Sequence, residues 1–137
     1  MENKIKTGLL SFGMSGQLFH APFVNAHDGF ELTAVVERSK KQAHESYPEI
    51  KSYDSVDVLL EDDTIELIIV NTPNATHFDF TLKALQKGKH VLTEKPFTIT
   101  PDQAKQLFEA AKKNGSVGRR HHYPKYRFQG LYNWWYT

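Results

Sequence analysis

The sequence predicts an α/β fold in which a doubly wound parallel sheet forms a single domain and an irregular C-terminal tail follows it. Short apolar segments alternate with helical patterns through residue 115, as in a right-handed series of βαβ units. The apolar segments are β-branched and nearly continuous, which is typical of strands covered on both faces. Hydrophobic residues make up 39% of the chain and charged residues 24%, the balance of a globular domain.

Five strands are predicted, and the pattern is weakest in the third of them. They cover residues 5–12, 32–36, 50–53, 66–70 and 90–93. The two clearest helices are predicted over residues 76–86 and 101–113. The first opens with a capping-box pattern at Thr76, and the second has Thr100 as N-cap with Gln103 as its reciprocal partner. The chain therefore divides into a domain at 1–115 and a tail at 116–137.

A glycine-rich turn follows the first strand where the first helix should begin. It is formed by Ser11, Phe12, Gly13, Met14, Ser15 and Gly16. The pattern G-x-G-x-x-G is expected here, with Ser11 in place of its first glycine. Gly13 would let the backbone approach a pyrophosphate, and Gly16 would permit close helix–strand packing. The alternative is a strand–helix turn without a ligand. Pro22 is expected to interrupt the helix and restart it.

The end of the second strand carries an acid followed by cationic and hydroxyl groups. Glu37 stands where a carboxylate would bind the adenosine ribose hydroxyls. Arg38, Ser39 and Lys40 follow at once, and these groups suit a 2′-phosphate instead. An acid opposes a phosphate unless its side chain turns away. NAD and NADP both stay open, with NADP favoured, and a solvated corner without a ligand is the third interpretation.

Two further motifs stand at the carboxyl ends of predicted strands, the edge where open α/β sheets bind ligands. The first runs through Asn71, Thr72, Pro73, Asn74, Ala75, Thr76 and His77; the second is Glu94, Lys95 and Pro96. Small polar residues with a proline suit contact with a nicotinamide and its ribose. A lysine suits contact with a substrate hydroxyl or carbonyl group.

With these motifs, residues 4–115 resemble the glucose–fructose oxidoreductase/inositol dehydrogenase (Gfo/Idh/MocA) family, whose N-terminal Rossmann domain binds NAD or NADP. The resemblance rests on four stretches: Ser-Phe-Gly-Met-Ser-Gly at 11–16, Phe-His-Ala-Pro at 19–22, Asn-Thr-Pro-Asn-Ala-Thr-His at 71–77, and Glu-Lys-Pro at 94–96. It implies an oxidoreductase that transfers hydride between the nicotinamide and a polyol or sugar hydroxyl. The stretch at 19–22 is most similar to members acting on scyllo-inositol-like polyols or sugars.

The same resemblance implies roles for individual residues. Lys95 would be the catalytic lysine, in contact with the reacting hydroxyl, and Glu94 would orient it. The bond between Lys95 and Pro96 is expected to be cis. The residues expected to line the nicotinamide ribose are Thr72, Pro73 and Asn74, with His77 behind them. For His77 an ordinary solvated histidine is the equal alternative, and for His20 packing of the restarted helix is the preferred interpretation.

The family pattern ends near Gly115. A member would continue into a substrate domain that supplies an aspartate and a histidine and forms the usual oligomer interface. We therefore expect the isolated chain to be catalytically incompetent, and no oligomeric state is carried over. The alternative is a non-catalytic nucleotide-binding or interaction protein whose tail contacts a partner.

The tail at 116–137 has its own composition. It holds four basic residues and no acid, so its charge of +4 and the −3 of the first 115 residues give the net +1. We hypothesise that it is out-of-frame or foreign sequence. Four charges without a recognisable module argue against nucleic-acid binding, and the adjacent His121 and His122 are poorly spaced for a metal.

Composition excludes several other classes. The absence of cysteine rules out disulfides and thiolate metal sites. No segment reaches about 18 consecutive apolar residues, so no membrane span is predicted. The N-terminus enters a strand directly and shows no secretory signal. A cytoplasmic protein with no metal is the resulting expectation.

Overall fold

A computed structural model describes residues 3–115 of the chain. Five parallel strands form one sheet in the order β3-β2-β1-β4-β5. The strands are β1 (Ile5–Leu9), β2 (Phe30–Val36), β3 (Lys51–Tyr53), β4 (Leu67–Val70) and β5 (His90–Thr93). This doubly wound arrangement confirms the predicted fold class, and the weakly patterned third strand is present.

Helices connect the strands in sequence. A π-helical turn (Gly16–His20) leads into α1 (Ala21–Ala26); α2 (Ala43–Ser46) and α3 (Val56–Leu60) are short; a 3-10 turn (Asn74–Thr76) precedes α4 (His77–Gln86), and α5 (Pro101–Gly115) is last. The π-helical turn runs directly into α1, and Pro22 is the second residue of α1. The interruption predicted at Pro22 is therefore a change from π-helical to α-helical hydrogen bonding, with the proline in a first turn that tolerates it. No helix among the described residues is both long and apolar enough to cross a bilayer.

The two faces of the sheet are covered by different apolar clusters. Successive residues of β2 alternate between them: Ala34 and Val36 belong to the larger cluster and Val35 to the smaller one. In β4 the residue between Ile68 and Val70 likewise packs into the smaller cluster. Because side chains alternate across a strand, the near-continuous apolar runs of the sequence follow directly from burial on both faces.

The helix ends test the capping predictions. The N–H of Gln103 donates to Thr100 Oγ1 at 3.2 Å, which confirms the predicted N-cap of α5. The side chain of Gln103 accepts from the amide of Ile99, one residue before the N-cap. The capping box at Thr76 is wrong, because its hydroxyl donates to Pro73 O at 2.6 Å and its backbone is already in the helical region.

A polar cluster is centred on Asp62, in the loop between α3 and β4. Its carboxylate accepts hydrogen bonds from the Tyr53 hydroxyl, from Lys51 Nζ at 3.2 Å and from the amide of Thr64 at 2.9 Å. The buried Lys89 ammonium donates to the carbonyl oxygens of Asp62 and Ile65, both at 2.9 Å. This cluster joins β3, the loop after α3 and the residue before β5.

Ionisation of this cluster is strongly biased. Burial opposes the charge of Asp62, but hydrogen bonds from Thr64, Tyr53 and Lys51 outweigh it and hold the pKa of Asp62 well below its usual range. Burial, together with the hydrogen bond to Asp62 and its negative charge, raises the pKa of Tyr53 to about 12. At neutral pH the pair is therefore a neutral phenol donating to a carboxylate.

Replacing Tyr53 by phenylalanine is expected to lower the free energy of unfolding by about 2 kcal/mol at neutral pH, since a hydrogen bond to a charged group is lost. In the wild type, the contribution of Tyr53 is complete below pH 10 and is lost as pH rises toward 12, because its folded pKa lies above the unfolded one. The contribution of Asp62 is lost as pH falls below about 4. Urea unfolding measured across pH checks both effects.

Tyr47 supplies the matched control for this experiment. Its ring packs edge-on against Phe12, and its hydroxyl has no hydrogen-bond partner among residues 3–115, so Tyr47→Phe should leave the pH dependence intact. Equal destabilisation by the two substitutions, with the same pH profile, would contradict the role given to the Tyr53 hydroxyl.

Candidate functional site

Three predicted segments meet at the carboxyl edge of the sheet. The glycine-rich turn at 11–16 follows β1, the loop at 71–77 follows β4, and the segment 94–96 follows β5. Because β4 pairs with β1 on one side and with β5 on the other, these segments are neighbours in space. From β1 the strand order runs outward to β2 and β3 on one side, and the chain then returns to place β4 and β5 on the other side. The strand order therefore reverses between β1 and β4, and the carboxyl edge there is the topological switch point.

Gly16 is required by the close approach of the backbone in the turn. A Cβ atom at this position would lie 2.5 Å from the carbonyl oxygen of Ser11 and 3.2 Å from Asn71 Nδ2. Gly13 differs, because an added Cβ would meet only Ser11 Oγ, at 3.6 Å, among the described residues. Gly16 is thus packed against the turn, whereas the face of Gly13 is open.

The turn leads directly into helical hydrogen bonding. The amide of Gln17 donates to Gly13 O at 3.0 Å, and Gln17 Nε2 donates to Phe12 O at 2.8 Å. The amides that precede Gln17 are those that a helix leaves without an intrahelical partner. Met14 is exposed beside them.

Asn71 holds the turn against the end of β4. Its Oδ1 accepts from the amide of Ser11 at 3.0 Å and its Nδ2 donates to Ser11 O at 2.9 Å. The hydroxyl of Ser15 lies 3.4 Å from the same Nδ2 and 3.5 Å from Asn71 O. The side-chain amide is buried, at 5% exposure. Asn71 therefore supports the turn from within, a role that the sequence motif does not reveal.

The loop after Asn71 is braced by its own polar groups. The hydroxyls of Thr72 and Thr76 are 2.6 Å apart, and the Thr76 amide donates to Pro73 O at 2.9 Å. Pro73 and Asn74 are exposed at the carboxyl edge. Thr72, Pro73 and Asn74 are thus presented on a loop that is held by its own hydrogen bonds.

His77 is fully buried beneath this loop. The ring is 1% exposed. Its Nε2 lies 2.8 Å from Thr72 O and its Nδ1 lies 2.7 Å from Pro96 O. The solvated alternative considered for this histidine is wrong, because the ring connects the loop after β4 with the segment after β5.

The Glu94–Pro96 segment is held from the other side by His20. The Nε2 of His20 is hydrogen-bonded to Glu94 Oε1, and both side chains are largely shielded from solvent. The backbone amide of Glu94 donates to Val70 O at 3.1 Å. The Lys95–Pro96 bond is cis, as expected. Lys95 is exposed, and its ammonium has no hydrogen-bond partner within the part of the chain that the structure describes.

In the turn after β2, Glu37 is buried and the three residues that follow it are exposed. Glu37 is 6% exposed. Its carboxylate accepts from the amides of Gln42 and Ala43, at 2.6 and 3.2 Å, and from Ser52 Oγ at 2.9 Å. The next three residues are all exposed: Arg38, Ser39 and Lys40. The carboxylate thus serves as the cap of α2, whose start the sequence pattern did not predict.

No group of three or more histidine, aspartate or glutamate side chains within the described range is arranged to hold a metal ion. The adjacent pair His121 and His122 lies outside that range, as does the whole tail at 116–137.

The sheet order and the three segments at its switch point define a Rossmann-class α/β domain of the dinucleotide-binding type. The chain belongs to the GFO_IDH_MocA oxidoreductase family with an NAD-binding Rossmann fold, whose model matches residues 5–121. The resemblance inferred from the four sequence motifs is confirmed. The family match passes Gly115 by a few residues.

Characterised and uncharacterised relatives agree with this assignment. An oxidoreductase of Schizosaccharomyces pombe, described as uncharacterized, is 43% identical over 79% of this chain and 31% of its own length. The scyllo-inositol 2-dehydrogenase (NADP(+)) of Bacillus subtilis is 32% identical over 81% of this chain and 31% of its own. The chain therefore spans about a third of the length of the curated relatives that it matches.

A solved structure shows the same fold with its cofactor. The 3-ketoreductase of Actinomadura kijaniata, in complex with NADP and TDP-benzene, matches with a TM-score of 0.77 and 30% identity, over 82% of this chain and 35% of that one. The described residues thus correspond to the N-terminal dinucleotide-binding domain of larger enzymes.

The two glycines of the turn are expected to respond differently to alanine. Gly16→Ala should lower the free energy of unfolding by about 1–3 kcal/mol, because the new methyl group overlaps the backbone of Ser11. Gly13→Ala should change it by less than about 0.5 kcal/mol, as expected for an open surface position. Denaturant unfolding of both variants checks this, and similar losses for both would contradict the assigned packing.

Proposed function

We propose that this chain binds a nicotinamide dinucleotide across the switch point, with NADP preferred, and forms the cofactor half of a polyol or sugar oxidoreductase. The observation that carries the proposal is the convergence of the turn at 11–16, the loop at 71–77 and Lys95 on one edge of the sheet. Family membership and the NADP-bound 3-ketoreductase support it.

The pyrophosphate is assigned to the glycine-rich turn. The open face of Gly13 allows a diphosphate to approach the backbone, and the amides ahead of Gln17 supply donors with the positive end of the helix dipole. Ser11 keeps the tight turn without the first glycine of the usual pattern, because Asn71 bonds both its amide and its carbonyl. The residues present therefore fit the group. The segment assigned to this contact is Ser11, Phe12, Gly13, Met14, Ser15 and Gly16.

The nicotinamide ribose is assigned to the loop of Thr72, Pro73 and Asn74, with Asn71 and His77 supporting it from below. When bound, the nicotinamide accepts or donates the hydride of the reaction. Lys95 is assigned to the substrate oxygen, where its ammonium stabilises a developing alkoxide or shares in moving the proton. Glu94, held by His20, and Pro96, held by His77, fix the backbone on both sides of this lysine.

The preference for NADP follows from the corner after β2. All of the hydrogen bonds of the Glu37 carboxylate in the described structure go to the start of α2 and to Ser52, which leaves it facing away from an adenosine ribose. Arg38, Ser39 and Lys40 are exposed beside it. A guanidinium, a hydroxyl and an ammonium in sequence suit a 2′-phosphate.

Titration of the 137-residue chain with each cofactor, by calorimetry or by nicotinamide fluorescence, is expected to show tighter binding of NADP than of NAD. Arg38→Ala should weaken NADP binding about tenfold, equivalent to the loss of about 1.4 kcal/mol, and should leave NAD binding unchanged. Lys4→Ala, at the opposite end of β1, is the matched control. Gly13→Ala should weaken both cofactors.

A large preference for NAD, or equal effects of Arg38→Ala on both cofactors, would overturn the assignment of the 2′-phosphate. Absence of binding of either cofactor to the folded wild-type chain would overturn the proposed function itself.

The proposed substrate is a secondary hydroxyl of a polyol or sugar, in keeping with the two scyllo-inositol 2-dehydrogenases of Bacillus subtilis to which the chain is similar. Lys95 supplies one polar contact to such a hydroxyl. Oxidation also requires walls that orient the polyol and a group that completes the proton transfer. These are assigned to the part of the relatives that this chain does not match.

The chain of 137 residues is accordingly expected to bind cofactor without turnover. Reduction of NAD or NADP in the presence of myo- or scyllo-inositol, followed by the absorbance of the reduced nicotinamide, should stay at the background rate. Turnover that is abolished by Lys95→Ala would contradict the incompetence of the isolated chain while supporting the role of the lysine. Turnover that survives Lys95→Ala would contradict both.

A further inference from the structure

His77 makes two hydrogen bonds that a neutral imidazole cannot make together. Its Nδ1 faces Pro96 O at 2.7 Å and its Nε2 faces Thr72 O at 2.8 Å. Both partners are carbonyl oxygens, which accept hydrogen bonds and never donate them. A neutral ring carries one N–H, so one of its nitrogens would direct a lone pair at a carbonyl lone pair. Donation from both nitrogens requires the imidazolium form.

The ring has no access to water, so its two nitrogens depend on these carbonyl oxygens as partners. His77 is 1% exposed, and in the part of the chain that the structure describes every buried side-chain nitrogen and oxygen has a hydrogen-bond partner. Both contacts, at 2.7 and 2.8 Å, are within the range of N–H···O hydrogen bonds. A buried charge needs such partners to offset the loss of hydration. The two carbonyls provide them from opposite sides of the ring.

We propose that His77 is a positioning residue, present as a doubly donating imidazolium, that fixes the Lys95 segment against the loop assigned to the nicotinamide ribose. The role rests on the proposed function, since it concerns the geometry between Lys95 and the cofactor. The connection is direct: one ring nitrogen holds the residue that follows Lys95, and the other holds Thr72.

The imidazolium also adds a fixed positive charge beneath the redox site. An oxidised nicotinamide ring is a cation and a reduced one is neutral. With a nicotinamide held by the loop of Thr72, Pro73 and Asn74, the charges of His77 in the interior and Lys95 at the surface would disfavour the oxidised cofactor relative to the reduced one. The ratio of the two dissociation constants becomes a measure of how closely these charges are held.

The first test addresses the ring itself and needs no cofactor. In the 15N-labelled full chain at pH 7, long-range proton–nitrogen correlation spectra are expected to show both ring nitrogens of His77 as protonated. His77→Gln identifies the signals by their disappearance. A His77 ring with one unprotonated nitrogen would overturn the proposal, even if the chain binds cofactor as proposed.

The second test addresses positioning. The wild type is expected to bind NADPH more tightly than NADP+. His77→Gln should reduce this preference by at least about threefold, toward the value of Lys95→Met, because it removes a charge and frees the lysine segment. Binding of adenosine 2′,5′-bisphosphate, which reports on the distant adenosine end, should stay within about twofold, since this ligand lacks the nicotinamide.

His44→Gln is the control for histidine loss. His44 is exposed in α2, where it contacts Pro48 O at 3.3 Å, and it lies outside the segments at 71–77 and 94–96, so the variant should retain the wild-type preference for NADPH over NADP+. An unchanged preference in His77→Gln, with the adenosine ligand bound normally, would overturn the positioning role. If the wild-type chain bound no cofactor, the proposed function would fail and the ring spectrum would still decide the state of His77.

Discussion

The site depends on the contact between the Asn71 side chain and the backbone of Ser11, which consists of two hydrogen bonds. Strands β1 and β4 pair up to Leu9, and the amide of Leu10 still donates to Ile69 O. Beyond that point the two strands diverge. The side-chain amide of Asn71 then takes the place of the next backbone partner: its Oδ1 accepts from Ser11 N and its Nδ2 donates to Ser11 O. The turn can leave the sheet without exposing unsatisfied peptide groups. Gly16 then packs against the same two residues.

From this contact the polar braces form a closed circuit through the site. Asn71 connects the glycine-rich turn to the loop after β4, and His77 connects that loop to Pro96. Glu94 returns the connection to His20, which lies in the π-helical turn that follows the glycine-rich turn. A displacement of any one segment must therefore disturb the other two. Because these contacts form a closed set, they hold the three segments in a defined arrangement at the edge of the sheet. Lys95 lies between Glu94 and Pro96, two of the residues that make these contacts.

The sequence was sufficient for most of the fold because burial on both faces of the sheet leaves a direct mark in the β-branched apolar runs of β2 and β4. The short β3 consists of Lys-Ser-Tyr and lacks such a run, which is why its pattern was the weakest. The sequence was also sufficient for the positions of the site segments, since each follows a strand. It was insufficient for the partners of polar side chains. Glu37 has the position of a ribose ligand, yet its carboxylate caps α2, a helix of four residues too short for a hydrophobic period. Ser55 is the N-cap of α3 and accepts from the amide of Val58, but α3 was not predicted from this serine.

The other contacts of the site that the sequence does not predict join residues that are far apart in the chain. His20 and Glu94 are 74 residues apart, and no local pattern connects them. The role of His77 depends equally on two carbonyl oxygens whose directions follow from loop geometry. These contacts all lie between residues 11 and 96, inside the domain whose core is completed by Leu107 of α5. The cofactor edge is thus braced without any group from the remaining two-thirds of the larger relatives. In the proposed function, binding of a dinucleotide and turnover of a substrate are separable properties, because the first would need only this internal circuit and the second would need walls that the circuit does not provide.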